Sequence, residues 1–179
     1  MRSEASRTRR SFLTTVAVAG SAVIGLALAI PGVAYVERLG TRRLAFTPTD
    51  PLAAKQWHLD QDHATSFWPE FPALAGPKVA VIDSGIDGGH PEFAGRIAGA
   101  RSFVGGNPLT DQQGHGTFVA GLIAAQTNNG LGVAGMAFGS QLLVAKVVRP
   151  SRQVGLEAEA EAIRWAVDNG ARVINLSLG

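Results

Sequence analysis

The sequence predicts an α/β domain built on a parallel sheet with helices on its faces. Three observations carry that expectation. From Lys78 onward, apolar runs of strand length alternate with segments of helical period. The strand-length runs are almost continuously apolar rather than alternating, the pattern of strands buried on both faces. With 179 residues, 46% of them hydrophobic, the chain can bury a core and amounts to one domain or part of one.

The elements follow in order. Residues 1–43 hold seven Arg against two Glu, and the next charge after Arg10 is Glu37. A basic flank followed by an apolar run is the pattern of an export signal or a membrane anchor. Within it, Thr8-Arg9-Arg10-Ser11-Phe12-Leu13 resembles the twin-arginine export signal. Ala27 and Ala29, or Gly32 and Ala34 beyond Pro31, offer small residues to a signal peptidase. Residues 1–34 are therefore expected to be a cleaved export signal or an uncleaved anchor, with the export machinery or a membrane as their partner. Residues 35–47 read as linker, and a short helix is expected around Asp62 to Trp68.

Strands are expected at 78–83, near 96–103, at 141–148 and at 172–177. One helix should begin near His115 and run through GTFVAGLIAAQT. The second, LEAEAEAIRWAVDNG, has acids in its first turns, Ile163, Ala166 and Val167 on one face, and Asn169-Gly170 as its stop.

Charge and composition exclude several functions. Outside the leader, residues 44–179 hold nine Lys or Arg against twelve Asp or Glu. With no basic stripe, this part of the chain is not built for a phosphate backbone, and no nucleic-acid partner is expected. The absence of cysteine removes disulfides, thiolate metal sites and a Cys nucleophile.

Two segments stand out as chemical. Asp83 ends the strand Val79-Ala80-Val81-Ile82, and in an open parallel sheet the functional crevice lies beyond the carboxyl ends of the strands. Taken alone, Asp83 reads first as a solvated strand end before a turn. His115 sits between Gly114 and Gly116 at a helix start, where glycines let other groups approach the ring. By itself, His115 is as readily structural as catalytic. The other histidines, His58, His63 and His90, read as structural or solvated.

Taken together, Val79 to Gly85 with His90-Pro91-Glu92, Gly114-His115-Gly116-Thr117 with Val119-Ala120-Gly121, and Val173 to Gly179 resemble the subtilisin-like serine peptidases. The resemblance covers roughly residues 48–179, in the order the family has its motifs. It implies a three-layer subtilisin-like fold, here expected to stop about halfway through the catalytic domain. It also implies a serine endopeptidase that cleaves polypeptides by acyl transfer, with Asp83 as the orienting acid and His115 as the base. The Gly-Thr-Ser nucleophile motif and the oxyanion asparagine have no match among the 179 residues, so the chain by itself is expected to be inactive.

The same resemblance marks Ser177, Leu178 and Gly179 as a substrate-lining strand. It implies a calcium site from Asp50, Glu92, Thr127, Asn129, Leu131 and Val133, all capable of offering oxygen ligands. No cofactor is expected for the chemistry itself. Twelve residues separate Ala34 from Thr47, too few for the folded inhibitory pro-domain that many relatives carry. Two other readings remain: an inert homologue that binds peptides or a partner, and a hydrolase with Asp83 and His115 as metal ligands. The latter finds no further His or acid at ligand spacing.

Overall fold

The computed structural model describes residues 47–68 and 75–178. The expected leader, the linker up to residue 46 and Gly179 lie outside the described residues. Four strands, β1 (Lys78–Asp83), β2 (Ile97–Ser102), β3 (Gln141–Lys146) and β4 (Ala171–Leu176), form a parallel sheet in the order β2-β3-β1-β4. Each lies within about two residues of its expected bounds. Ahead of the sheet come two short helices, α1 (Trp57–Gln61) and α2 (Ala64–Phe67), where one was expected. They are separate because His63 takes a left-handed conformation, φ 51°, between them.

Helix α3 (His115–Ala124) covers one face of the sheet and α4 (Leu156–Asp168) the other. The period-2 alternation of strand side chains divides the core between them. Val81, Leu142 and Val144 pack with Ala120 and Ala124 of α3. Ile82 and Ala145 pack with Ala158 and Ala162 of α4, while Ala80 and Leu143 meet Ala166. A Leu or Val buried this completely contributes about 1.5–3 kcal/mol. The central strands β1 and β3 are apolar on both faces because both faces are covered.

Each helix also shows why the chain stops it where it does. α3 ends at Ala124, earlier than expected, because Ala125 leaves the helical region while donating its N–H to Gly121. α4 ends at Asp168, followed by Asn169 as C-cap and by Gly170 at φ 84°, the left-handed residue that Asn-Gly predicts. Its buried stripe is Ala158, Ala162 and Ala166. Val167, expected on the buried face, is 59% exposed, because one residue of helix rotates it away from that stripe.

The edge strands depart from the expectation of burial on both faces. β2 and β4 are only partly buried, each having a single strand neighbour among the described residues.

Parallel topology fixes where the chemistry lies. A helix that returns antiparallel to the strands must begin at their carboxyl edge. Asp83, last residue of β1, and His115, first residue of α3, are therefore delivered to the same edge.

Candidate active site

His115 Nδ1 lies 2.8 Å from Asp83 Oδ1 and 2.9 Å from Oδ2. The residues are 32 positions apart, and the pairing is made by the fold alone. A carboxylate can only accept, so Nδ1 carries the proton and Nε2 is the nitrogen left to act as a base. Asp83 is 1% exposed, whereas the His115 side chain is 49% exposed. The acid is thus shielded while the ring presents its second nitrogen to the crevice. The buried carboxylate also accepts the Ser84 N–H at 2.7 Å, which offsets part of the cost of burying its charge.

Two glycines make this approach possible. Gly114 precedes α3 at φ 76°, a conformation that side chains rarely adopt. Gly116 has no room for a Cβ, which would overlap the Gly85 carbonyl oxygen and press on Asp83 Cβ at 3.1 Å.

A residue that the sequence did not single out holds this arrangement. Asp111 Oδ1 accepts from Ser84 Oγ at 2.8 Å and from the N–H groups of Gln113 and Gly114, both at 3.0 Å. Its Oδ2 accepts from the Thr117 N–H at 2.9 Å and from Thr117 Oγ1 at 2.7 Å. Ser84 Oγ in turn accepts the Gly116 N–H at 3.0 Å. Burial pushes the Asp111 carboxyl up, but the bonds from Thr117, Ser84 and Gln113 outweigh it and hold it below the usual range. The available signal was an Asp four residues ahead of His115, in a segment that also reads as an ordinary turn.

The carboxyl edge also receives part of the expected substrate strand. β4 places Leu176 beside Ile82, so Ser177 and Leu178 leave the sheet level with Asp83. Leu178 packs against the core beneath α4, and Ser177 Oγ accepts from Asn175 Nδ2 at 2.9 Å. Gly179 lies outside the described residues.

The six residues expected to hold calcium gather around the loop from Thr127 to Val133. Asp50 and Glu92 are 4% and 3% exposed. Asp50 accepts the N–H groups of Asn128 and Asn129 at 2.8 and 3.2 Å. Glu92 accepts from Asn129 Nδ2 at 3.0 Å and from the Val133 N–H at 3.2 Å. Thr127 Oγ1 accepts the Gly135 N–H at 3.1 Å, and Asn129 Oδ1 accepts that of Leu131 at 2.8 Å. Neither carboxylate has a cationic partner among the described residues, and the carbonyls of Thr127, Leu131 and Val133 accept no hydrogen bond there. Two buried anions beside three unused carbonyl oxygens are a donor set that suits a hard cation. Among the described residues no three His, Asp or Glu side chains converge as a metal cluster, so such a site would depend on the backbone.

Comparison with known proteins gives the same frame. Residues 75–179 match the family model described as the subtilase family, Peptidase_S8. Thermitase of Thermoactinomyces vulgaris is 39% identical over 137 residues, 75% of this chain and 48% of that protein. The thermophilic serine proteinase of Bacillus sp. (strain AK1) is 38% identical over 83% of this chain and 38% of its own length. Subtilisin Savinase of Lederbergia lenta is 47% identical over 59% of this chain and 38% of its own. The chain thus spans less than half the length of each of these relatives. A parallel sheet with Asp and His at one edge, and a family model that matches more than half of the chain, lead to one assignment: this chain belongs to the subtilase family.

Proposed function

We propose that these residues supply the acid and base of a serine endopeptidase that cleaves polypeptides by acyl transfer. The observation that carries the reading is the contact of His115 Nδ1 with both oxygens of a buried Asp83, with the ring's other nitrogen open to the crevice. In this reading Nε2 takes the proton of an attacking serine hydroxyl and returns it to the leaving amine. Asp83 fixes the tautomer and stabilises the imidazolium while remaining ionised. The serine and the oxyanion donors would come from outside the 179 residues, in line with the share of the relatives that this chain spans. Ser177, Leu178 and Gly179 would line the path of the substrate backbone.

The test is the reading frame beyond codon 179 and the protein it encodes. A downstream Gly-Thr-Ser, labelling of its serine by a fluorophosphonate, and a loss of about 10⁴-fold in kcat for Asp83→Asn are expected. A continuing frame without that serine, or a product that binds peptides but takes no label, would favour the inert homologue instead.

Two further assignments belong to the same reading. Asp50, Glu92, Asn129 and the carbonyls of Thr127, Leu131 and Val133 would hold a structural calcium ion, supported by the two buried carboxylates without a cationic partner and the three carbonyls without a hydrogen bond among the described residues. Residues 1–34 would direct export, supported by their basic flank and apolar run, with retention as an anchor the outcome if no cleavage occurs.

A further inference from the structure

We infer that Asp111 is a positioning residue that sets the His115 ring against Asp83. The inference rests on the proposed Asp83–His115 pairing and adds a second carboxylate to it.

The pairing joins two short backbone stretches, Asp83-Ser84 at the end of β1 and Gly114-to-Thr117 at the start of α3. Asp111 ties both. It accepts from Gln113, Gly114 and Thr117, on either side of His115, and from the hydroxyl of Ser84, next to Asp83. The N–H of Gly116, which Asp111 does not reach, goes to that same hydroxyl. Residues 113, 114, 116 and 117 are thus held by Asp111 directly or through one oxygen. The neighbour of the acid and the neighbours of the base hang from one side chain. Because the N-cap position is Gly114, with no side chain, Asp111 also satisfies N–H groups that the first turn of α3 would otherwise leave open.

Thr117 extends the brace. Its hydroxyl donates to Asp111 Oδ2 and accepts the Asp87 N–H at 2.9 Å, fastening α3 to the loop that follows β1. Such a brace is stiff because every link is short and several are charge-assisted. A catalytic pair misplaced by a fraction of an ångström loses its alignment, and the brace limits that freedom at both ends.

A merely structural cap and a positioning residue differ in what they do to the His115 ring. The Nδ1 proton can be followed by NMR in the 179-residue chain, together with the β1 and β3 amides as a measure of fold. The expected result in the unsubstituted chain is a far-downfield, slowly exchanging Nδ1 proton. In Asp111→Ala, exchange of that proton with water should quicken by about tenfold or more, the factor for one charge-assisted hydrogen bond, while the β1 and β3 amides stay put. Asp111→Asn, which keeps one acceptor oxygen, should fall between the two. Ser84→Ala removes two links, to Asp111 and from the Gly116 N–H, and no charge, so it carries the test if Asp111→Ala loses its fold; a quickening is again expected. Unaltered Nδ1 exchange in a folded variant, even one with a lower melting temperature, would reduce Asp111 to a helix cap and overturn the inference. Absence of the downfield proton from the unsubstituted chain would instead overturn the pairing itself, and the inference with it.

Discussion

At Gly116 and Asp111 single residues decide whether the acid and base can meet. A methyl group at 116 would overlap the Gly85 carbonyl, so the glycine there answers to close approach rather than to a turn. Asp111 acts through charge, and its effect on stability therefore depends on pH. Its carboxyl is held below its usual value in the folded chain, so its contribution is fully present above the unfolded value of about 3.9 and is lost as pH falls through the lower folded value. The difference in unfolding free energy between the unsubstituted chain and Asp111→Asn should be flat from neutral pH to about pH 5 and should shrink below about pH 4. Urea unfolding at a series of pH values measures it, and a difference that grew toward acid would contradict the bonding described here. Asp83 and His115 were legible in the sequence because each sits in a motif with a structural position attached, a strand end and a helix start. Asp111 was not, because its partner Ser84 lies 27 residues away and only the fold shows that a turn-like Asp is shared.

At the scale of elements, the strands were legible because β1 and β3 are apolar on both faces, and α4 because acids open it and Asn-Gly closes it. The split of α1 from α2 was hidden, since nothing local signals a left-handed His63. The loop from Thr127 to Val133 illustrates the same limit. Its Asn-Asn-Gly reads as a turn, and only the fold brings the buried Asp50 and Glu92 to it from 78 and 37 residues away. Gln56 fastens the far end of this loop, accepting the Ala134 N–H at 2.7 Å and donating to the Ala134 carbonyl at 2.9 Å. An ion bound there would join the segment before the sheet to the loop after α3. Calcium at a hundred times its dissociation constant should then stabilise the chain by about 2.7 kcal/mol, visible as a rise in melting temperature that a chelator reverses. Glu92→Gln should abolish most of that rise. An unchanged melting temperature with and without calcium would leave the loop as a hydrogen-bonded turn.

At the scale of the molecule, the sheet is unequally finished. β2 and β4 are both edges among the described residues, but β4 presents apolar side chains there: Val173 is 51% exposed and Leu176 40%. Beside it lies an open cavity of about 460 Å³ lined by Val79, Leu122, Ile123, Met136, Val173 and Ile174. An edge strand with free N–H and C=O groups and an apolar flank is a template for another strand, and its one charge, Arg172, stands at the start of β4, away from Leu176. A polypeptide of these 179 residues, prepared alone, should therefore self-associate through β4 as its concentration rises. Val173→Lys places a charge in that flank and should return the chain toward monomer, at a cost confined to β4 because the side chain is already half exposed. Sedimentation velocity across a hundredfold concentration range separates the outcomes. A concentration-independent monomer for the unsubstituted chain would show that the β4 edge is covered, and equal association of Val173→Lys would move the contact elsewhere.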